Sequence, residues 1–181
     1  LKTHGVTLTT LLTRAAGLAL AQHPLLHARL TEDGTGIEYA EGIHVANAVA
    51  MPGGGLITPV LRDADSTDVY SLSRAWRDLV QRARGKQLRP EEYSGATFTI
   101  SNLGMYGVDS FDAVLPPGTA AILAVGGGGA VVAADEQNRI CVERQMTLNL
   151  TADHRIVYGA HAAEFLVTLK KVLESPEQLL Y

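Results

Sequence analysis

His154 stands in Leu150-Thr151-Ala152-Asp153-His154-Arg155-Ile156-Val157-Tyr158-Gly159-Ala160, between an acid and a base at the end of an apolar run. A histidine there can fill space, bind a metal or act as a general base. A second segment with chemical potential is Phe98-Thr99-Ile100-Ser101-Asn102-Leu103-Gly104, a strand that ends in a hydroxyl, an amide and a glycine turn. Alone, it reads equally as strand termination by local side-chain to backbone hydrogen bonds. The six histidines are scattered, and only His23 and His27 have the i,i+4 spacing of a helical metal pair. Pro24 lies between them and breaks the helix, so no metal site is expected. Other chemistries drop out by motif. There is no G-x-S-x-G elbow and no G-x-x-x-x-G-K-[ST] phosphate loop. The run Gly126–Gly129 fails as G-x-G-x-x-G because Val131 occupies the third glycine position, so it is read as a flexible turn.

These residues need elements to hold them. A chain of 181 residues, 46% hydrophobic and 19% charged, can bury one sizeable core. A net charge of −4 offers no basic field for nucleic acid, and no apolar run has the length of a membrane span. The single cysteine, Cys141, gives no internal disulfide framework. The chain opens at Leu1-Lys2-Thr3 without an initiator methionine, which suggests a piece of a longer polypeptide.

Helical spacing predicts a helix over 7–23, ended by Pro24, and a charged amphipathic helix over 71–86 with Leu72, Ala75, Trp76, Leu79 and Val80 on one face. A last helix over 160–173 should bury Ala163, Leu166, Val167 and Leu169. Strands are expected at 26–30 and 36–39 around the turn Glu32-Asp33-Gly34, at 43–51 buried on both faces, and at 56–61. Further strands are expected at 96–101, 120–125 and 140–151. The alternation implies an α/β or α+β fold with a mixed sheet.

Both chemical segments occur together with other long motifs. Thr97-Phe98-Thr99-Ile100-Ser101-Asn102-Leu103-Gly104 precedes Pro116-Pro117 and Ala120-Ala121-Ile122-Leu123-Ala124-Val125-Gly126. Gly55-Leu56-Ile57-Thr58-Pro59-Val60 and Asp153-His154-Arg155 with Gly159-Ala160 complete the set. In these the sequence resembles the catalytic domain of the 2-oxoacid dehydrogenase acyltransferases, the core component of pyruvate dehydrogenase and related complexes. The resemblance runs from Gly5 to Leu180. It implies that residues 1–181 are an acyltransferase catalytic domain lacking its first part, with the lipoyl and subunit-binding domains outside this chain. One departure is Tyr158, where the family signature D-H-R-x-x-D-G has its second aspartate. With Leu61-Arg62-Asp63-Ala64-Asp65 and Gly107-Val108-Asp109-Ser110-Phe111-Asp112, this tyrosine looks like the plastid and cyanobacterial branch of the pyruvate dehydrogenase acetyltransferases.

The resemblance implies a chloramphenicol-acetyltransferase-like mixed sheet flanked by helices, in a trimer. It implies transfer of an acetyl group between a dihydrolipoyl thiol and coenzyme A, with His154 as the base and Ser101 as the oxyanion donor. Coenzyme A is then a substrate, the lipoyl group rides on a domain outside this chain, and no metal is needed. Asp153, Arg155, Tyr158 and Asn102 are supporting residues; Asp153 and Arg155 would fix loop and subunit geometry. Tyr158 should reach a neighbouring polar group and keep His154 oriented. In the family the base and the hydroxyl come from different subunits of a homotrimer, and C-terminal apolar anchors join trimers into cubic or dodecahedral cores. Leu179 and Leu180 are the matching anchors here, although a tail folded on its own core is an open alternative. Partners would be pyruvate dehydrogenase, dihydrolipoamide dehydrogenase and the lipoyl domain of the same protein, in the plastid stroma or the cyanobacterial cytoplasm. Two rivals keep the fold: a chloramphenicol-acetyltransferase-like enzyme acting on a free small molecule, and a scaffold without catalysis.

Overall fold

A computed structural model describes residues 5–135 and 137–180. The first helix, α1 (Leu8–Leu20), starts where the Thr7 hydroxyl accepts the Thr10 N–H at 3.3 Å. Its apolar stripe, Leu12, Ala15, Ala16, Ala19 and Leu20, is buried. Pro24 opens a 3-10 turn, Pro24–His27, which shortens the strand expected from Leu26. What remains is a small hairpin of β1 (Arg29–Leu30) and β2 (Ile37–Glu38).

The run expected as one strand over 43–51 divides into β3 (Val45–Asn47) and β4 (Val49–Ala50). β3 joins the main sheet, whereas β4 leaves it to pair with β5 (Leu56–Ile57). β6 (Val60–Leu61) returns to β3 after Pro59, which cannot donate a ladder hydrogen bond. α2 (Val69–Arg84) is capped by Asp68, whose carboxylate accepts the N–H groups of Tyr70 and Ser71 at 2.9 Å. It lays Leu72, Trp76 and Leu79 on Leu61, while Ala75 is exposed.

β7 (Phe98–Asn102) and β8 (Ala121–Val125) form the centre of a five-stranded sheet in the order β11-β8-β7-β3-β6. β3, β7 and β8 run parallel; β6 and β11 (Leu148–Ala152) are antiparallel edges. All five residues of β8 are buried, as expected for a parallel strand covered on both faces. The main core contains Phe98, Ile100 and Leu123 from the sheet, Leu12 and Leu20 from α1, and Phe165 and Leu169 from α3 (Gly159–Glu174).

Three further expectations change. The strand expected over 140–151 is two, β10 (Ile140–Gln145) and β11, and β10 pairs with β9 (Gly129–Ala134) rather than with the main sheet. That hairpin leaves Val132, Ile140 and Val142 exposed in the single chain, so no one-sided burial pattern marked it in the sequence. On α3 the buried stripe is Phe165, Leu169 and Val172, with Leu166 partly buried; Ala163 and Val167 lie one position around the helix and are exposed. The run at Gly126 is a packed contact rather than a flexible turn. A Cβ on Gly126 would come within 2.0 Å of the Asp109 carbonyl oxygen.

The His23 and His27 pair is separated by Pro24, as expected. His23 bonds Thr168 through its side chain at 2.8 Å, and His27 is buried with Nδ1 unpartnered among the described residues. Burial pushes the His27 imidazole below its ordinary value, with Asp65 opposing in part. A depressed histidine makes the unfolded chain the stronger proton binder between the two pKa values. Stability is therefore full above about pH 6.5 and falls as pH drops through the folded pKa. Urea midpoints measured from pH 7.5 to 5 should decline, and His27→Gln should flatten that decline; an unchanged slope would remove His27 as its cause.

Candidate active site

Ser101 owes its place to the parallel centre of the sheet. Phe98, Thr99 and Ile100 are buried, and Ser101 sits opposite Ala124 where β7 emerges. The turn behind it is held at several points. Asn102 accepts the Gly104 N–H through Oδ1 at 2.9 Å, and the Leu103 N–H donates to the Val125 carbonyl at 3.1 Å. A Cβ on Gly104 would stand 2.8 Å from the Gly126 carbonyl oxygen, so the two glycine segments fit only without side chains. Asn102 thus braces the backbone turn that follows Ser101.

Ser101 opens onto a cleft of about 270 Å³, lined also by Asn47, Trp76, Ile100, Asn102 and Tyr106. Among the described residues its hydroxyl has no hydrogen-bond partner, which leaves the proton free to point into the cleft. Asn47 was missed in the sequence. It is buried, donates Nδ2 to Thr13 Oγ1 at 3.1 Å, and pairs in register with Ile100. The signal for it was an amide inside a strand expected to be buried on both faces.

His154 is held differently. The Asp153 N–H donates to the Ala120 carbonyl at 2.8 Å, and the Asp153 carbonyl accepts the N–H groups of Ile156 and Val157, both at 2.9 Å. Ile156 and Val157 are buried and anchor the loop from below. Arg155 folds back on Asp153, with Nη2 on Oδ2 at 2.6 Å and Nε on Oδ1 at 2.9 Å. These hydrogen bonds hold the Asp153 carboxyl below the usual carboxylate range. Asp153 and Arg155 therefore stiffen the turn, and Asp153 is paired with Arg155 rather than with the imidazole. The His154 ring is exposed, and among the described residues neither of its nitrogens has a hydrogen-bond partner.

Tyr158 meets His154 edge-on, with ring centroids 5.5 Å apart at 67°. Among the described residues its hydroxyl forms no hydrogen bond, so the expected polar contact is replaced by a ring contact.

The two main candidates do not meet within one chain. β7 runs parallel to β8, so Ser101 lies at the C-terminal end of β8; β11 runs antiparallel, so His154 follows Ala152 past the N-terminal end of β8. They are two strands apart across the sheet and roughly 15 Å apart along it, at about 3.3 Å per residue. The cleft at Ser101 does not include His154.

The tail forms a 3-10 turn, Pro176–Leu180. Leu179 is buried in the core of its own chain and Leu180 is half-buried. Leu179 is thus corrected from an exposed anchor to a core residue: after Ser175 ends α3, the turn folds it back onto the apolar face it can cover. Tyr181 lies outside the described residues.

Among the described residues no group of three or more His, Cys, Asp or Glu could hold a metal ion, and no helix is long and apolar enough to cross a membrane.

The chain is 54% identical over 181 residues to the chloroplastic dihydrolipoyllysine-residue acetyltransferase component 5 of the pyruvate dehydrogenase complex of Arabidopsis thaliana. The match covers 100% of this chain and 38% of that protein, so the chain spans well under half the length of this relative. Component 4 of the same plant complex is 55% identical over 178 residues, 98% of this chain and 37% of its own length. Among solved structures, the dihydrolipoamide acetyltransferase of Azotobacter vinelandii superposes with a TM-score of 0.91 at 28% identity, covering 97% of this chain and 72% of that one. A chloramphenicol acetyltransferase matches with a TM-score of 0.54 at 16% identity, covering 95% of this chain and 80% of that one, which shows a shared fold alone. The family model for the 2-oxoacid dehydrogenases acyltransferase catalytic domain matches residues 1–181, and with Ser101 and His154 set at opposite ends of one mixed sheet, the chain belongs to that family.

Proposed function

We propose that this chain is the catalytic and core-forming part of a dihydrolipoamide acetyltransferase of a pyruvate dehydrogenase complex. The observation that carries the reading is the sheet register. It separates a hydroxyl and an imidazole, each without a hydrogen-bond partner among the described residues, to opposite ends of one sheet, which supports a site completed by a second copy. A thiol is mostly protonated near neutral pH and needs a base before it attacks. His154 of one copy takes the proton from the thiol of coenzyme A. The thiolate adds to the carbonyl of the acetyl-dihydrolipoyl thioester, and the Ser101 hydroxyl of the neighbouring copy donates to the oxyanion. Collapse breaks the bond to the dihydrolipoyl sulfur, which recovers the proton from His154. The reverse direction uses the same groups. No covalent enzyme intermediate and no metal enter the scheme. The lipoyl group arrives on a domain outside this chain.

The working unit is a homotrimer, and trimers build a cubic or dodecahedral core that receives pyruvate dehydrogenase and dihydrolipoamide dehydrogenase. Likeness to the chloroplastic components supports the plastid stroma as its location; the cytoplasm of a cyanobacterium is the alternative. The assay mixes the protein with acetyl-CoA and dihydrolipoamide and follows S-acetyldihydrolipoamide. Transfer is expected. Transfer only to a small hydroxyl compound would favour the free-substrate enzyme, and no transfer to either would favour a scaffold.

Assembly separates the two leucines of the tail. Leu180→Asp should release smaller particles by light scattering while the protein stays folded. Leu179→Ala should instead lower folding stability by about 2–5 kcal/mol, the cost of emptying a core leucine site. An intact shell in Leu180→Asp would reject Leu180 as the joint.

A further inference from the structure

We propose that His161 is a positioning residue for the base, acting through Tyr158; the inference rests on the acetyltransferase reading and deepens it. Tyr158 is the N-cap position of α3, and its own side chain makes no capping hydrogen bond. His161, three residues on, reaches back: its Nδ1 accepts the Tyr158 N–H at 3.4 Å. This is the geometry in which a residue at the third helical position satisfies the backbone of the cap residue, a task glutamate or glutamine commonly performs. The His161 ring also lies against the Tyr158 ring, with centroids 5.7 Å apart at 44°. Tyr158 also meets the His154 ring, with centroids 5.5 Å apart at 67°.

Tyr158 therefore contacts two imidazoles. Its side chain is otherwise open, with 57% of the residue exposed, so core packing does not fix its rotamer. The backbone below it is fixed, because Ile156 and Val157 are buried at 3% and 2% exposure. The ring is held by its contact with His161 and in turn contacts His154. An aromatic pair of this kind has a preferred edge-to-face geometry, so fixing one ring restricts the other. Where the family signature places an aspartate, this chain uses a ring contact, and His161 is the residue that steadies it. The hydroxyl of Tyr158 has no part in the arrangement.

A set of variants of the full chain tests this. Tyr158→Ala should lower kcat for acetyl transfer by about tenfold, the scale of one lost aromatic contact, with KM for coenzyme A nearly unchanged. Tyr158→Phe, which keeps the ring, should restore most of that loss. His161→Ala should lower kcat by about threefold with Tyr158 present and cause no further loss in the Tyr158→Ala background. A loss in Tyr158→Phe equal to that in Tyr158→Ala would give the role to the hydroxyl and overturn the proposal. Independent, additive losses from Tyr158 and His161 would overturn it as well. Modification of His154 by diethyl pyrocarbonate, read by mass spectrometry, provides a measure that needs no turnover. His154 should react faster in both alanine variants than in Tyr158→Phe, and equal rates would reject the ring contact. If the unaltered protein transfers no acetyl group, the acetyltransferase reading fails, while the modification rates still decide the ring arrangement.

Discussion

His154→Ala is expected to lower acetyl transfer by roughly 10²–10⁴-fold, the range for a removed general acid–base group, while the protein stays folded and assembled. Both halves of this result follow from the loop. The imidazole is exposed and its nitrogens have no hydrogen-bond partner among the described residues, so its removal opens no cavity and strands no polar group. The turn that carries it is built from other contacts: the Asp153 N–H on Ala120, the Asp153–Arg155 pair, and the buried Ile156 and Val157. In the proposed scheme, with alanine in place, the thiol of coenzyme A loses its proton acceptor and only its small thiolate fraction attacks. The pre-steady-state rate of acetyl transfer, together with circular dichroism, checks both halves. Activity within tenfold of the unaltered protein would remove His154 from the base role.

Ser101→Ala is expected to lower kcat by roughly 10²–10³-fold, the loss measured when one oxyanion donor is removed. The hydroxyl has no partner among the described residues that the substitution would disturb. Its backbone stays clamped between β3 and β8 through β7, and the Asn102 and Gly104 turn is untouched. In the proposed scheme only the donor to the developing oxyanion goes. A donor that acts mainly in the transition state should leave KM for coenzyme A close to its original value. Steady-state kinetics in both substrates separate the cases. An unchanged kcat would end the oxyanion assignment, and a rise in KM alone would make Ser101 a binding group.

Most of what positions the site was legible in the chain. The apolar parallel strands, the helix starting near Thr7 and the Ser101 and His154 segments each carry a local signal in spacing, capping or residue type. What was hidden depends on long-range packing. The hairpin of β9 and β10 buries little in its own chain, so its residues follow no periodicity that burial would impose. Gly126 looked like part of a flexible turn because a close backbone approach leaves no mark in sequence beyond the glycine itself. Leu179 looked like an anchor because a chain end carries no sign of whether it turns inward or outward. Tyr158 was expected to act through its hydroxyl, the polar handle that residue type advertises, whereas its ring makes the contact. The separation of Ser101 from His154 follows only once strand order and direction are known, since sequence distance says nothing of which end of a sheet a residue occupies.

If each site is shared by two copies of the chain, two inactive proteins should complement one another. The most direct measurement mixes the two inactive proteins, His154→Ala and Ser101→Ala, after unfolding and joint refolding, and assays acetyl transfer. In a shared site, an interface works when its Ser101 comes from the first variant and its His154 from the second. With random equal mixing this happens at about half times half, or about one quarter, of the interfaces of a cyclic oligomer. The predicted result is recovery to about a quarter of the unaltered rate from two proteins that are each nearly inactive. No recovery in well-folded mixed assemblies would contradict the account, because it would place both groups of every working site in a single chain.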